Sequence, residues 1–258
     1  MQLFQYIETS IENGVGRIEL NRQQQYNALN RAMIKEIATI IEQFDQNDEV
    51  AVVLLSGRGK AFSSGADIAE MMDSSTIQLE LLNQFADWDR ISRVKKPIIG
   101  AVHGFVFGGG FELALSCDLL LAATTAEFSF PEVSLGVMPG AGGTQRLTKL
   151  VGRTKALEWL LTGERISADE ALEQRIVNRL IQPELLEEEA LRFAQRIAKQ
   201  PPLSLRLIKD SVNQAVHSSL QEGLLYERKN FYLLFASQDQ TEGMRAFMDK
   251  REPRFEGR

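Results

Sequence analysis

The chain has 258 residues, 44% of them hydrophobic and 25% charged, with a formal net charge of −6. That composition suits a globular protein with a sizeable core and argues against a nucleic-acid binder, which displays basic clusters. The single cysteine, Cys117, excludes an internal disulfide and fits a reducing compartment.

The N-terminal run Met1 to Tyr6 has no basic segment followed by an apolar one, so no leader is expected. Strands are predicted over Phe4 to Thr9 and Gly16 to Leu20, around a turn at Asn13-Gly14. Asn30 has the character of a helix cap, with Ile34, Ile37, Ile41 and Phe44 at helical spacing behind it. Val50 to Leu55 reads as a buried strand and Leu79 to Val94 as one amphipathic helix. Pro97 to Val102 is a second buried strand; the apolar run that it opens ends at Phe107, too short to cross a bilayer. Gly110 to Cys117 reads as an apolar helix, and Leu119 to Ala123 as a short strand. Strands alternating with helices imply α/β layering.

From about Ile166 onward the pattern is helical. Ser167 and Glu170 have capping-box spacing, Pro183 opens a helix to Lys199, and Pro201-Pro202 marks a break before a nearly all-helical tail. The division is therefore 1–199 as an α/β core and 200–258 as a C-terminal helical segment. Pattern alone leaves open whether that segment packs on its own core or on a neighbouring subunit.

Three glycine-containing loops stand out: Ser63 to Ile68, His103 to Gly110, and Pro139 to Thr144. Glycine lets backbone N–H groups approach a ligand, although each loop alone is as readily a tight turn. Nucleotide fingerprints fail, with Ala61 where a phosphate loop needs Ser or Thr, and Gln145 where a dinucleotide motif ends in glycine. Two glutamates accompany the loops. Glu112 sits in an apolar helix start, and Glu132 follows Phe128-Ser129-Phe130-Pro131. A buried glutamate is costly, and burial raises its pKa toward the range of proton transfer. A solvated glutamate at a helix start is the plain alternative for each; the two together beside glycine loops favour paired acid–base work. His103 and Cys117 read as structural and His217 as surface. Two histidines far apart make a metal site a poor expectation.

The run Lys96 to Gly104, then Gly108-Gly109-Gly110-Phe111-Glu112-Leu113-Ala114 and Cys117-Asp118, resembles the central signature of the enoyl-CoA hydratase/isomerase (crotonase) family. Leu20-Asn21-Arg22, Asn27-Ala28-Leu29, Phe62 to Ile68, Phe130 to Leu147, Leu161-Thr162-Gly163, Ala168 to Val177 and Glu242-Gly243-Met244 extend the likeness in order, in the manner of a bacterial-type hydratase. The resemblance implies a crotonase-like ββα spiral with a C-terminal oligomerisation segment, in trimers or dimers of trimers. It implies no metal or redox cofactor, with coenzyme A arriving as part of an acyl-CoA thioester substrate. It assigns the oxyanion hole to the amides of Ala66 and Gly109, water activation to Glu112, and proton delivery to the α-carbon to Glu132. Gly140 would help shape the water site, Asp67 and Ile68 would border the ligand, and Phe231 and Lys250 would reach coenzyme A from a neighbouring subunit.

Isomerases of the family typically keep the later glutamate and lose the earlier one, so the pair favours a hydratase, with an isomerase or another CoA-thioester reaction as the alternative. Ala69 departs from a lysine common near the adenine; Phe107 and Phe111 stand where smaller residues are frequent and are expected to reshape the acyl pocket. Paired glutamates also suit glycosidases, but no tryptophan-rich groove is evident. An RNA-binding family member is known, and the acidic charge argues against that role here. A cytoplasmic enzyme with no nucleic-acid or membrane partner is the expectation.

Overall fold

In a computed structural model that describes residues 4–258, strand pairs and helices follow one another in a repeating ββα order. The chain opens with a hairpin of β1 (Ile7–Glu12) and β2 (Val15–Leu20). Its turn is Asn13-Gly14, both at positive φ (49° and 80°), which lets the strands twist together. The first strand begins later than its residue pattern suggested. The amides of Gln5 and Tyr6 are spent on the Glu36 carboxylate, and pairing starts at Ile7. Residues 1–3, part of the segment read as lacking a leader, lie outside the described residues.

Helix α1 (Arg31–Gln46) starts where Asn30 accepts the Met33 amide at 2.8 Å, and it buries Ile34, Ile37, Ile41 and Phe44. Strand β3 (Val52–Gly57) follows. The helix expected over Leu79 to Val94 is two: α2 (Thr76–Leu82) and α3 (Ala86–Ser92). Asn83 breaks them in a left-handed conformation, φ 44°, a role its short polar side chain suits. Then come β4 (Ile98–Val102), β5 (Phe105–Phe107), α4 (Gly109–Leu115), β6 (Leu119–Ala123), β7 (Glu127–Ser129) and α5 (Gly143–Thr162, kinked at Gly152).

The stretch from Ile166 is not wholly helical. Strands β8 (Ile166–Ser167) and β9 (Arg179–Ile181) flank α6 (Ala168–Glu173), and each is too short to show alternation in sequence. Helices α7 (Leu186–Ala198), α8 (Pro202–Ala215), α9 (Leu220–Leu234) and α10 (Gln238–Asp249) complete the chain.

The large sheet has the order β1-β2-β3-β4-β6-β9, parallel beyond the first hairpin; a small one has the order β5-β7-β8. Each winding lays a strand on the large sheet, then a strand or bridge on the small one, then a helix. The windings β4-β5-α4 and β6-β7-α5 do so with full strands. The two before them contribute single parallel bridges, Leu29 to Ala66 and Ser63 to Val106. This is the ββα spiral of the crotonase fold. Strand β3 shows how the sheet is sandwiched. Val53 and Leu55 face the main core with α1 and α4, while Val52 and Leu54 face α7, which buries Leu186, Ala190 and Ala194 at four-residue spacing. Among the described residues no helix is long and apolar enough to cross a membrane.

Candidate active site

The small-sheet edge of the spiral gathers the three glycine loops. Leu29 donates its amide to the Gly65 carbonyl at 2.7 Å, and the Asp67 amide donates to the Leu29 carbonyl at 2.9 Å. In a parallel bridge, the residue bracketed by two such bonds points its own N–H the other way. That residue is Ala66, so its amide turns from Leu29 toward the start of α4. Gly109 is the first residue of α4, and its N–H has no intrahelical acceptor. The two backbones lie close enough that a Cβ placed on Gly109 would stand 3.4 Å from the Ala66 nitrogen. Among the described residues neither amide has a hydrogen-bond acceptor. Because α4 is only seven residues long, the amide itself, more than a long helix dipole, supplies the field there.

Glu112 lies one turn into α4 and is 4% exposed. Its Oε1 accepts the amides of Ala141 at 2.7 Å and Gly143 at 2.8 Å. The third glycine loop thus spends two of its amides on this carboxylate. Burial pushes the Glu112 pKa up, while those amides, the Arg146 charge and the Gly140 amide pull against it. Glu132 stands on a 3-10 turn (Pro131–Leu135) opened by proline. Its Oε1 comes so near Gly108 that a Cβ there would sit 2.9 Å from it, and Gly108 holds φ 48° and ψ −124°, open only to glycine. The Glu132 Oε2 is buried without a partner. Burial raises this carboxyl to about 7, and the nearby Glu112 charge adds to the shift.

The structure therefore gathers Ala66, Gly109, Glu112, Glu132 and Gly140. Gly140 packs under the Phe85 ring, with a Cβ position 2.7 Å from Phe85 Cζ. Asp67 borders the group, but its carboxylate is committed to the loop: it pairs with Arg22 at 2.6 Å and accepts the Ala69 amide at 3.2 Å. Ile68, beside it, is exposed. Phe231 and Lys250 lie apart. Phe231 is 55% exposed among Tyr232 and Phe235, and Lys250 ends α10 in a left-handed turn. Among the described residues, neither makes a hydrogen bond, ion pair or ring contact with the site loops.

Phe111 is wholly buried and stacks on Phe130, ring centroids 4.6 Å apart. Phe107 is half-buried on Phe105. His103 contacts the Gly59 carbonyl at 3.0 Å, and burial pushes the Cys117 thiol up. Sequence reasoning missed the cradle at Ala141 and Gly143 and the clearance at Gly108, because both are meetings of distant loops.

A family model described as enoyl-CoA hydratase/isomerase matches residues 10–258. The mitochondrial enoyl-CoA hydratase of Pongo abelii is 42% identical over 255 residues, 98% of this chain and 88% of that protein. The short-chain-enoyl-CoA hydratase of Clostridium acetobutylicum is 38% identical over 244 residues, 93% of this chain and 94% of its own. A crystal structure of enoyl-CoA hydratase subunit I from Geobacillus kaustophilus HTA426 superposes with a TM-score of 0.97 at 61% identity, covering 99% of both chains.

Proposed function

The chain belongs to the enoyl-CoA hydratase/isomerase family, and from that premise we propose that it adds water across the α,β double bond of an enoyl-CoA thioester to give a 3-hydroxyacyl-CoA. The observation that carries the reading is the meeting of two unpartnered amides, Ala66 and Gly109, with two buried carboxyl groups of raised pKa.

The two amides receive the thioester oxygen. Water attacks the β-carbon, the π electrons move through the α-carbon onto that oxygen, and the developing enolate is stabilised more than the ground state. Glu112 takes the proton from the attacking water. Two amide donors on its Oε1 favour the carboxylate and aim it, leaving Oε2 for the water. Glu132, raised to about 7, keeps a substantial protonated fraction at neutral pH and delivers its proton to the α-carbon as the enolate collapses. The reaction is redox-neutral and these groups supply its charge stabilisation and proton transfers, so the reading calls for no resident cofactor; coenzyme A comes and goes with the substrate.

The same reading takes the helical segment as a self-association surface giving trimers or dimers of trimers in the cytoplasm. Support comes from side chains such as Ile208, Val212, Leu220, Phe247 and Met248, all exposed on α8 to α10. It places Phe231 and Lys250 against a neighbour's ligand.

Crotonyl-CoA tests the reaction through loss of its conjugated absorbance. Wild type turns it over, and Glu112→Gln and Glu132→Gln each lower the rate by about a hundredfold or more while retaining CoA binding. Near-native turnover by both variants would overturn the roles. Gain of absorbance from a β,γ-enoyl-CoA, without hydration, would assign an isomerase instead.

A further inference from the structure

We propose that Ser63 is a positioning residue that fixes the spacing of the two oxyanion amides, because it is hydrogen-bonded to the segments that carry both. Its main chain belongs to one wall. The Ser63 amide donates to the Phe105 carbonyl at 3.0 Å, and the Phe107 amide donates to the Ser63 carbonyl at 3.0 Å. Those bonds grip β5 on both sides of Val106, one residue short of the Gly108-Gly109 turn. Its side chain belongs to the other wall. The Oγ accepts the Gly65 amide at 3.2 Å and donates to the Asn27 carbonyl at 2.8 Å. Gly65 precedes Ala66, and Asn27 lies two residues before Leu29, the strand partner of Ala66.

Asn27 makes that second attachment rigid. It is fully buried at φ 54°, its Oδ1 accepts the Arg22 amide at 2.7 Å, and its Nδ2 donates to the Arg58 and Ala61 carbonyls at 2.9 and 2.8 Å. The Ser63 side chain also packs against Gly110, the residue after the second donor; a Cβ on Gly110 would stand 2.6 Å from Ser63 Cβ and 2.8 Å from Oγ. Ser63 is itself completely buried, so it does not touch a ligand and acts only through the amides. Donors aimed at a developing oxyanion lose much of their value when misplaced by a fraction of an ångström, so a joint between their two carriers is a lever on rate. Removing the hydroxyl leaves β5 attached and takes away the side-chain tie between the Ala66 loop and Asn27, so the loop keeps only its backbone bonds to Leu29 and Tyr26 and its spacing from β5 is less tightly set.

The inference rests on reading these amides as donors to a thioester oxygen, and two readouts separate its failure from that of the hydration reaction. Dimethylaminocinnamoyl-CoA absorbs at longer wavelength as its thioester oxygen is polarised, so its red shift on binding reports the amide geometry whether or not the protein hydrates enoyl-CoA. Ser63→Ala is expected to bind the probe with a clearly smaller red shift. It is also expected to lower hydration kcat by about tenfold or more, part of what loss of a whole donor costs, with KM within about twofold. Ser63→Cys, which restores a weak donor and acceptor, recovers part of both. Ser64→Ala, which loses only a surface bond to the Gln25 carbonyl at 3.2 Å, leaves both unchanged. Should Ser63→Ala fail to fold, Asn27→Gly keeps the left-handed backbone, cuts the ties behind Ser63 and is expected to reduce the red shift in the same sense. A full red shift with unchanged kcat in the folded variant overturns the proposal, and so does a lowered melting point with the red shift intact. A raised KM with shift and kcat unchanged does the same.

Discussion

Helix α4 runs between two charge clusters, each built around one buried charged side chain, Lys96 or Glu112, that handle their charges in opposite ways. Beyond its C-terminal end lies the junction with α8. There Lys96, 2% exposed, gives its ammonium to the Phe44 and Asn47 carbonyls at the end of α1, both at 2.7 Å. Asp118 accepts the Ile98 amide at 2.7 Å and pairs with Lys209 at 2.8 Å, and Lys209 also reaches the Lys96 carbonyl. Burial lowers Lys96 to about 8, helped by the Arg206 charge and opposed by Asp45 and Asp48. Among the described side chains there, only the Arg206 Nε is left buried and unpaired. At the N-terminal end, by contrast, two amides and the Glu132 Oε2 have no partner. Charges that hold a fold together are consumed by their neighbours, whereas a reacting site keeps hydrogen-bonding capacity for its substrate.

The contrast is sharpest if turnover and stability separate between the clusters. The largest effect belongs to the glutamates. If Glu112 and Glu132 act as one unit, the double glutamine variant loses only slightly more hydration than the worse single variant, about a hundredfold or more below wild type; multiplicative losses would show independent roles. Next is Gly108→Ala. Its backbone conformation costs a non-glycine residue about 1–3 kcal/mol, and the added methyl meets the Glu132 carboxyl, so both the denaturant midpoint and kcat fall. Lys96→Met is the counterpart at the junction. Losing the two ammonium bonds, from carbonyls that still accept the Asn47 and Val50 amides, costs about 1–3 kcal/mol of stability, read from urea unfolding, while the kcat of the folded enzyme stays at the wild-type value. Equal damage to kcat would break the comparison.

The smallest effect is a dependence on pH. With Glu132 raised to about 7 in the fold and near its ordinary value unfolded, the native state binds more protons between those two values. Stability from this group therefore declines as pH rises through that window, and above it the protein carries a buried charge. Glu132→Gln removes the charge, so it is expected to melt higher than wild type at pH 8, with the gap closing toward pH 5. Hydration by wild type falls over the same upper range as the proton donor is lost.

Much of the fold was legible because local rules decided it. The Asn13-Gly14 turn, the Asn30 cap and the apolar runs of β3 and β4 each follow from a few neighbouring residues. The failures came where two or three residues form an element, as in β8 and β9, or where one left-handed residue, Asn83, cuts an otherwise continuous amphipathic pattern. The stack of Phe111 on Phe130 is likewise invisible in sequence.

For the site, the chain itself singled out the candidate residues: three glycine loops, and two glutamates in apolar surroundings. Only the folded molecule decided what each one faces. The Ala66 amide points toward Gly109 because Leu29 occupies its neighbours, Glu112 is aimed by Ala141 and Gly143, and Ser63 joins both walls. These are pairings across about 30 residues or more of chain, and hydrogen-bond direction at that range is set by how the spiral's windings stack, which no local pattern encodes.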